Sequence, residues 1–439
     1  MNFPSQALEV IEKLNKEGYQ AYLVGGALRD ALQGKEPGDI DLATSALPQE
    51  VMGLFSDEKI IPTGLKHGTV TLIYKGLSME ITTFRTDGDY EDYRRPSSVS
   101  FSSSLKEDLK RRDFTINALA YHPKEGLIDY VGGLKDLEDG IIRAVGNPKE
   151  RFNEDALRML RAIRFVSILG FEMEEETKSA LFENKELIQM VSQERLQQEL
   201  SKLLMGQWVE EALLNYHEII SVFIPEIIPM VGFDQMTPYH CYDVWTHTAK
   251  VVAFSKKDLA HRLAGLFHDI AKPQTLYVDD KNIGHFPGHC VASKRQAEKI
   301  LTKLGYSKKL QNRVLNIILH HNTGIYPEEL AIKKSLFYWG PEVFFDIIEF
   351  KYADNLAKEP GFVRSRSSYE QVEIKARHYL NNQPFLSYKD LALSSQELMD
   401  LGYKGPQLGQ VLDRLATAVL GGLDNTRDSL LNYLKNKNK

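Results

Sequence analysis

A chain of 439 residues is long enough for about three domains, and its 43% hydrophobic content supplies each with a core. The 54 basic and 60 acidic residues leave a formal charge of −6, which excludes a globally basic nucleic-acid binder; any such partner has to be held by local patches. Two cysteines, Cys241 and Cys290, without CxxC spacing argue against a disulfide framework and a cysteine zinc site. The first thirty residues hold no apolar run of signal-peptide or membrane-span length, so a soluble, cytoplasmic protein with no membrane partner is expected.

Residues 21–84 alternate short apolar strands with helical stretches (AYLVG, ALRDALQG, DIDLAT, LPQEVMGLF, TVTLIY, MEITTF), which predicts an α+β domain on a small mixed sheet. Gly25 and Gly26 end the first strand and open the first helix, where bare backbone N–H groups can approach phosphate, and Arg29 adds charge one turn in. Asp39 and Asp41 flank Ile40 in a strand-like segment, so the period of two puts both carboxylates on one face, as a cage for a hard cation such as Mg²⁺ requires. Glu80, on MEITTF, is the candidate third carboxylate. His67, in TGLKHGTV, is a further candidate for facing phosphates, with a structural role as its default.

Residues 86–107 read as a long exposed loop. Two basic patches follow the sheet: Arg94, Arg95, Lys106, Lys110, Arg111 and Arg112, then Arg158, Arg161 and Arg164; by charge counting alone these are solvated faces. From about residue 147 apolar residues recur at helical spacing, as in EDALRMLRAIRFVSIL and SQERLQQELSKLL, and the remainder is expected to be almost wholly helical. Three prolines and a glycine in 224–240 mark one boundary, and NNQPFLS near 381–387 marks another.

Taken together, VGGALRDALQGKEPGDIDLATSA resembles the signature of the nucleotidyltransferase superfamily that includes DNA polymerase beta, in the form found in class II tRNA nucleotidyltransferases and bacterial poly(A) polymerases. LKRRDFTINALAY (109–121) resembles that family's ribose-selecting motif, EDALRMLRAIRF (154–165) its base-recognition motif, and SQERLQQELSKLL (192–204) its neck helix. The resemblance implies transfer of a nucleoside monophosphate from a triphosphate to an RNA 3′-hydroxyl. Asp39 and Asp41, with Glu80, would hold two Mg²⁺ ions, and Arg112, Asp113 and Asn117 would hold the ribose and triphosphate. It also assigns Asp155 and Arg158 to reading the base: three apart on one helical turn, they offer an acceptor beside a donor, which suits CTP and ATP and rejects UTP and GTP. Arg161 and Arg164 continue that face toward the nucleotide phosphates.

The run PTGLKHGTVTLIY resembles the tRNA-adding branch, and the long TDGDYEDYRRPSSVSFSSS favours addition of the full CCA end over the two cytidines alone. The expected activity is therefore template-independent addition of CMP, CMP and AMP to tRNA. A-only addition comes next, then poly(A) synthesis.

A second constellation, His247, the pair His268-Asp269 and Asp354, resembles the metal-binding pattern of HD-domain phosphohydrolases, and its nitrogen and oxygen donors suit Mn, Fe, Co, Ni or Mg. His289 and one of His320 or His321 fall where a second ion's ligands occur in binuclear members. That resemblance implies phosphoester hydrolysis and leaves one rival of a different class, an HD phosphohydrolase with an RNA-binding head. A non-catalytic RNA chaperone would leave both ligand sets idle. LALSSQELMDLGYKGPQLGQVLDRL (391–415) resembles the family's tRNA-gripping tail, and equally a plain helix-turn-helix packing element. The expected order is a catalytic head at 1–145, a helical neck at 146–228, an HD-type body at 229–380 and a tail at 381–439. Nothing in the sequence fixes an oligomeric state.

Overall fold

The structure is a computed structural model that describes residues 3–87, 90–91, 95–96, 99–382 and 384–437. The chain divides into two units, Met1–Ile228 and Pro229–Lys439, at the proline-rich boundary.

In the first unit, the apolar run Ala21–Val24 forms a strand, β1, buried at all four positions. Around it lie β2 (Ile40–Thr44), β3 (Lys59–Gly64), β4 (Thr69–Tyr74), β5 (Leu77–Thr83), β6 (Leu119–His122) and β7 (Gly126–Asp129). They make one seven-stranded sheet in the order β7-β6-β1-β2-β5-β4-β3, in which β2 and β5 run parallel and the other neighbours antiparallel. Strand character therefore does not end near residue 84. LAYH and GLID return to the far side of β1, four residues each, too short to show alternation in the sequence. KIIPTG is a mostly exposed edge strand whose proline hides its character.

Alternate residues of the central strands face two cores. Leu23 and Leu42 pack with Ala7, Val10, Ile11 and Leu14 of helix α1 (Ser5–Lys16), while Tyr22, Val24 and Ala43 pack with Phe84 and Leu109 on the opposite face. Helix α2 (Gly25–Leu32) follows β1 without a linker. In place of the expected long loop, Arg85–Asp87 pairs with Val99–Phe101 and Tyr90–Glu91 with Arg95–Pro96. Arg94 and the side chain of Arg95 lie outside the described residues.

Helices α3 (Pro148–Glu154), α4 (Leu157–Leu169) and α5 (Gln193–Leu204) complete the part of this unit that bears on function. α4 packs on α5, where the Ser167 hydroxyl donates to the Leu203 carbonyl at 2.6 Å.

Among its described residues the second unit is helical apart from a two-residue ladder at 277–278 and 284–285. Its functional helices are α6 (Val244–Phe254), α7 (Leu259–Phe267), α8 (His289–Lys303), α9 (Lys308–His320) and α10 (Pro341–Leu356). α6 packs on α7 and α10, and α9 on α7, α8 and α10. A separate core of Leu391, Leu393, Leu398, Val411, Leu415, Leu430 and Leu434 unites the last three helices, Ser395–Asp400, Pro406–Leu420 and Arg427–Lys437. Among the described residues no helix is long and apolar enough to cross a membrane.

Candidate functional site

Three carboxylates line one cavity where β2 begins. Asp39 immediately precedes the strand, Asp41 lies one residue in, and the parallel register sets Asp41 beside Glu80 of β5 and the antiparallel one sets it beside Val24 of β1. Burial raises the Asp41 carboxyl to about 6; the Arg112 guanidinium pulls it down, and the Glu80 and Asp39 carboxylates push it back up. A largely buried carboxylate such as Asp41, with two further carboxylates on the same wall, offers the oxygen donors a hard divalent cation takes. Gly25 closes the site from the β1 side with φ +73°, and a Cβ there would lie 2.9 Å from Asp41 Oδ2 and 3.6 Å from Arg112 Nη1. Only glycine meets both conditions.

These groups line a cavity of about 740 Å³ whose wall carries eight arginines and six carboxylates, so a local basic excess exists inside an acidic chain. Gly25, Gly26, Arg29, Asp39, Asp41, Glu80, Arg112, Asp113, Asn117, Asp155, Arg158, Arg161 and Arg164 all line it. His67 does not: it is exposed in the turn Leu65–His67, and its carbonyl accepts from Arg85 Nη1 at 2.6 Å.

The wall is cross-braced. Arg29 Nη1 donates to Asn117 Oδ1 at 2.9 Å and its Nε to Asp30 at 2.9 Å. Asp113 accepts from the Phe114 amide at 2.8 Å and from Arg161 Nε at 2.7 Å. Burial would raise the Asp113 carboxyl, but Arg161, the Phe114 amide and Arg158 hold it well below the usual carboxylate range. Arg161 is thus engaged by a carboxylate. Arg164, the other expected phosphate ligand, pairs with Glu199 of α5 at 3.2 Å and lies over the Phe165 ring.

Asp155 and Arg158 stand at the two ends of one turn, closed by the Arg158 amide on the Asp155 carbonyl at 2.9 Å, but not within one continuous helix. Asp155 caps α3 with extended backbone (φ −143°, ψ 102°), and α4 begins at Leu157. Arg195 of α5 grips Asp155 by both oxygens, at 3.1 and 2.8 Å, while Arg158 reaches back to the Arg151 and Arg111 carbonyls at 3.0 and 3.2 Å and to Glu154. Arg195 and Glu154 were not singled out from the sequence. The available signal was Arg195 in the first turn of a Glu- and Gln-rich helix, one turn before the Glu199 that takes Arg164.

In the second unit, His247 of α6, His268 and Asp269 after α7, His289 of α8, His321 after α9 and Asp354 of α10 converge. His247 Nε2 lies 3.1 Å from Asp354 Oδ1 and 3.4 Å from His268 Nε2, which is 3.0 Å from Asp269 Oδ2. His289 and His321 Nε2 are 3.3 Å apart, each 3.6–3.7 Å from Asp269 Oδ1. All four imidazoles donate Nδ1–H to a backbone carbonyl: Ala357, Gly265, Phe286 and Ile318 respectively, at 2.7–3.2 Å. This fixes the tautomer and turns the Nε2 lone pairs onto one another, an arrangement that only a proton or a metal cation between them relieves. Asp269 Oδ1 is buried without a hydrogen-bond partner. These residues fit a metal centre.

Between the two open candidates, His321 joins this cluster; His320 instead lies against the Trp339 ring, 4.7 Å between centroids. Lys272, one turn after Asp269, was also not anticipated; its Nζ is 2.7 Å from Asp269 Oδ2.

Family models match in the same order: a poly A polymerase head domain over residues 21–143, a "Probable RNA and SrmB-binding site of polymerase A" over 170–230, and an HD domain over 238–357. The CCA-adding enzyme of Geobacillus kaustophilus (strain HTA426) is 56% identical over 208 residues, which is 47% of this chain and 51% of that protein, so this match spans about half of the relative's length. The CCA-adding enzyme of Bacillus velezensis (strain DSM 23117 / BGSC 10A6 / LMG 26770 / FZB42) is 35% identical over 434 residues, 98% of this chain and 97% of that one. The crystal structure of the Bacillus stearothermophilus CCA-adding enzyme in complex with CTP superposes with a TM-score of 0.75 at 31% identity, covering 100% of both chains. With that identity sustained from end to end, the chain belongs to the family of CCA-adding enzymes.

Proposed function

We propose that this protein adds CMP, CMP and AMP in turn to the 3′ end of tRNA, from CTP and ATP, without a nucleic-acid template. The observation that carries the reading is the juxtaposition of Asp39, Asp41 and Glu80 with an arginine-rich wall that includes Asp155 and Arg158. Two Mg²⁺ ions held by those carboxylates would acidify the attacking hydroxyl and neutralise the leaving pyrophosphate. Arg29 and Arg112 supply positive charge around the triphosphate, and Gly25 lets it approach the backbone. Asp155 keeps lone pairs free while Arg195 holds it, so it can accept from the exocyclic amine of cytosine or adenine; Arg158 donates to the adjacent ring nitrogen.

Residues 1–145 act as the catalytic head, 146–228 as the base-reading neck, 229–380 as the HD body and 381–439 as the tRNA-gripping tail. In the body, His247, His268, Asp269 and Asp354 would hold one divalent ion, and His289 and His321 would supply ligands to a second. Ions there would activate water against a phosphoester such as a 2′,3′-cyclic or 2′-phosphate RNA end. Action in the cytoplasm fits two cysteines that are both unpaired.

The test supplies three tRNAs, ending before CCA, after C and after CC, with Mg²⁺ and CTP, ATP or both, and sizes the products. Growth of all three to one CCA end is expected. Extension of only the CC-ended tRNA, by one A, would make this an A-adding enzyme.

A further inference from the structure

The two halves of the HD cluster are chemically unlike. On the Asp269 Oδ2 side the donors are two imidazoles and Asp354, with no sulfur. On the Oδ1 side a thiol joins. Gly288, with φ +74°, starts α8 so that His289 and Cys290 occupy its first two positions, and Cys290 Sγ comes within 3.5 Å of His289 Nε2. The ligand atoms of His289, Cys290 and His321 all lie within 4.8 Å of one another. Asp269, only 1% exposed, aims its unpartnered Oδ1 into the same space, 3.6 Å from His289 and 3.7 Å from His321.

Two imidazoles, one sulfur and one carboxylate oxygen make four donors, the number and kind that zinc takes in tetrahedral sites, whereas the sulfur-free half suits harder ions. Resting on the reading of this cluster as a metal centre, we propose that the HD body holds two different ions. The position formed by His289, Cys290, His321 and Asp269 Oδ1 selects a thiophilic divalent ion, with Cys290 bound as thiolate. The spacing of the two cysteines gives no hint of this, because the other three donors come from α8 and the segments after α7 and α9.

The test uses the full-length chain carrying Asp39→Ala and Asp41→Ala, so that the head carboxylates contribute no ion. It is stripped with chelator and titrated with Co²⁺ alone, with bound metal counted by elemental analysis and absorption recorded in the near ultraviolet. Two equivalents and a sulfur-to-cobalt charge-transfer band are expected. The band should persist in Cys241→Ser and vanish in Cys290→Ser, which retains one equivalent and binds the other at least tenfold more weakly. With only two cysteines in the chain, persistence in Cys241→Ser assigns the band even if Cys290→Ser fails to fold. Two bound ions without the band, or a band that survives Cys290→Ser, would overturn the thiolate assignment and leave the binuclear reading standing; failure to retain any ion would sink both.

Discussion

Arg195 holds both oxygens of Asp155, Nη1 on Oδ1 at 3.1 Å and Nη2 on Oδ2 at 2.8 Å, joining α5 to the break between α3 and α4. A planar fork of this kind fixes a carboxylate in orientation as well as position. On the proposed reading of Asp155 as a base acceptor, Arg195 is a positioning residue for base choice. Arg195→Lys keeps the charge and loses the fork. We expect discrimination of CTP over UTP to fall roughly tenfold or more, on the order of the 1.5–3 kcal/mol of a charge-assisted bond. Single-turnover incorporation with each triphosphate measures it, and unchanged KM for tRNA separates this from a general loss of structure.

The Asp113–Arg161 pair predicts a stability effect. Arg161→Ala removes the ion-pair partner of a buried carboxylate that keeps only its hydrogen bonds from the Phe114 amide and the Asn117 side chain, at a cost of about 3–5 kcal/mol. Because the folded-state value of Asp113 lies below its unfolded value, the stability it contributes is present above about pH 4 and is lost as the pH falls through the folded value. Urea midpoints across pH 3–8 should show the onset of that acid-side loss below about pH 4 in the wild type and a smaller one in the variant.

Asp41 has the opposite sign. Its folded value, raised to about 6 from 3.8, means the folded metal-free protein binds the proton more tightly, so stability falls as pH rises between those values. Asp41→Asn should raise the metal-free protein's stability by roughly 3 kcal/mol at pH 8, at about 1.4 kcal/mol per unit, and by little at pH 3. On the proposed reading, magnesium bound at Asp41 would compete with the same proton, so its affinity in the wild type should weaken below pH 6. Thermal melts with and without Mg²⁺ check both.

At Gly25 the added methyl meets Asp41 Oδ2 and a positive φ together, whereas at Gly26 the nearest atom is Arg29 Nη2 at 3.6 Å. Gly25→Ala should cost 1 kcal/mol or more by backbone strain alone and abolish most nucleotide addition. Gly26→Ala should be markedly milder. Parallel denaturation and incorporation assays decide it.

What was legible in the sequence was local. Asp39, Asp41 and the Gly25–Gly26 turn lie in one stretch whose strand and helix periods place them, and Glu80 follows from an adjacent strand of the same sheet. The Arg195 grip on Asp155 spans two helices distant in sequence, and no periodicity reports such a contact. Reading Asp155 and Arg158 as one helical turn assumed a continuous helix, where the backbone is instead extended at Asp155 and turns helical again from Ala156. The choice of His321 over His320 needed the end of α9: His320 is its last residue and His321 the first beyond it, and only the fold decides which ring turns inward. β6 and β7 stayed hidden because four-residue strands take their identity from the neighbours they pair with.

The most direct measurement is labelled CMP and AMP incorporation into tRNA lacking its 3′ CCA, in Mg²⁺, by the wild type and by Asp39→Ala plus Asp41→Ala. Stepwise C, C, A addition by the wild type and none by the folded variant is expected. Addition by the variant at the wild-type rate, or none by the wild type, would contradict the assignment of nucleotide transfer to this cavity.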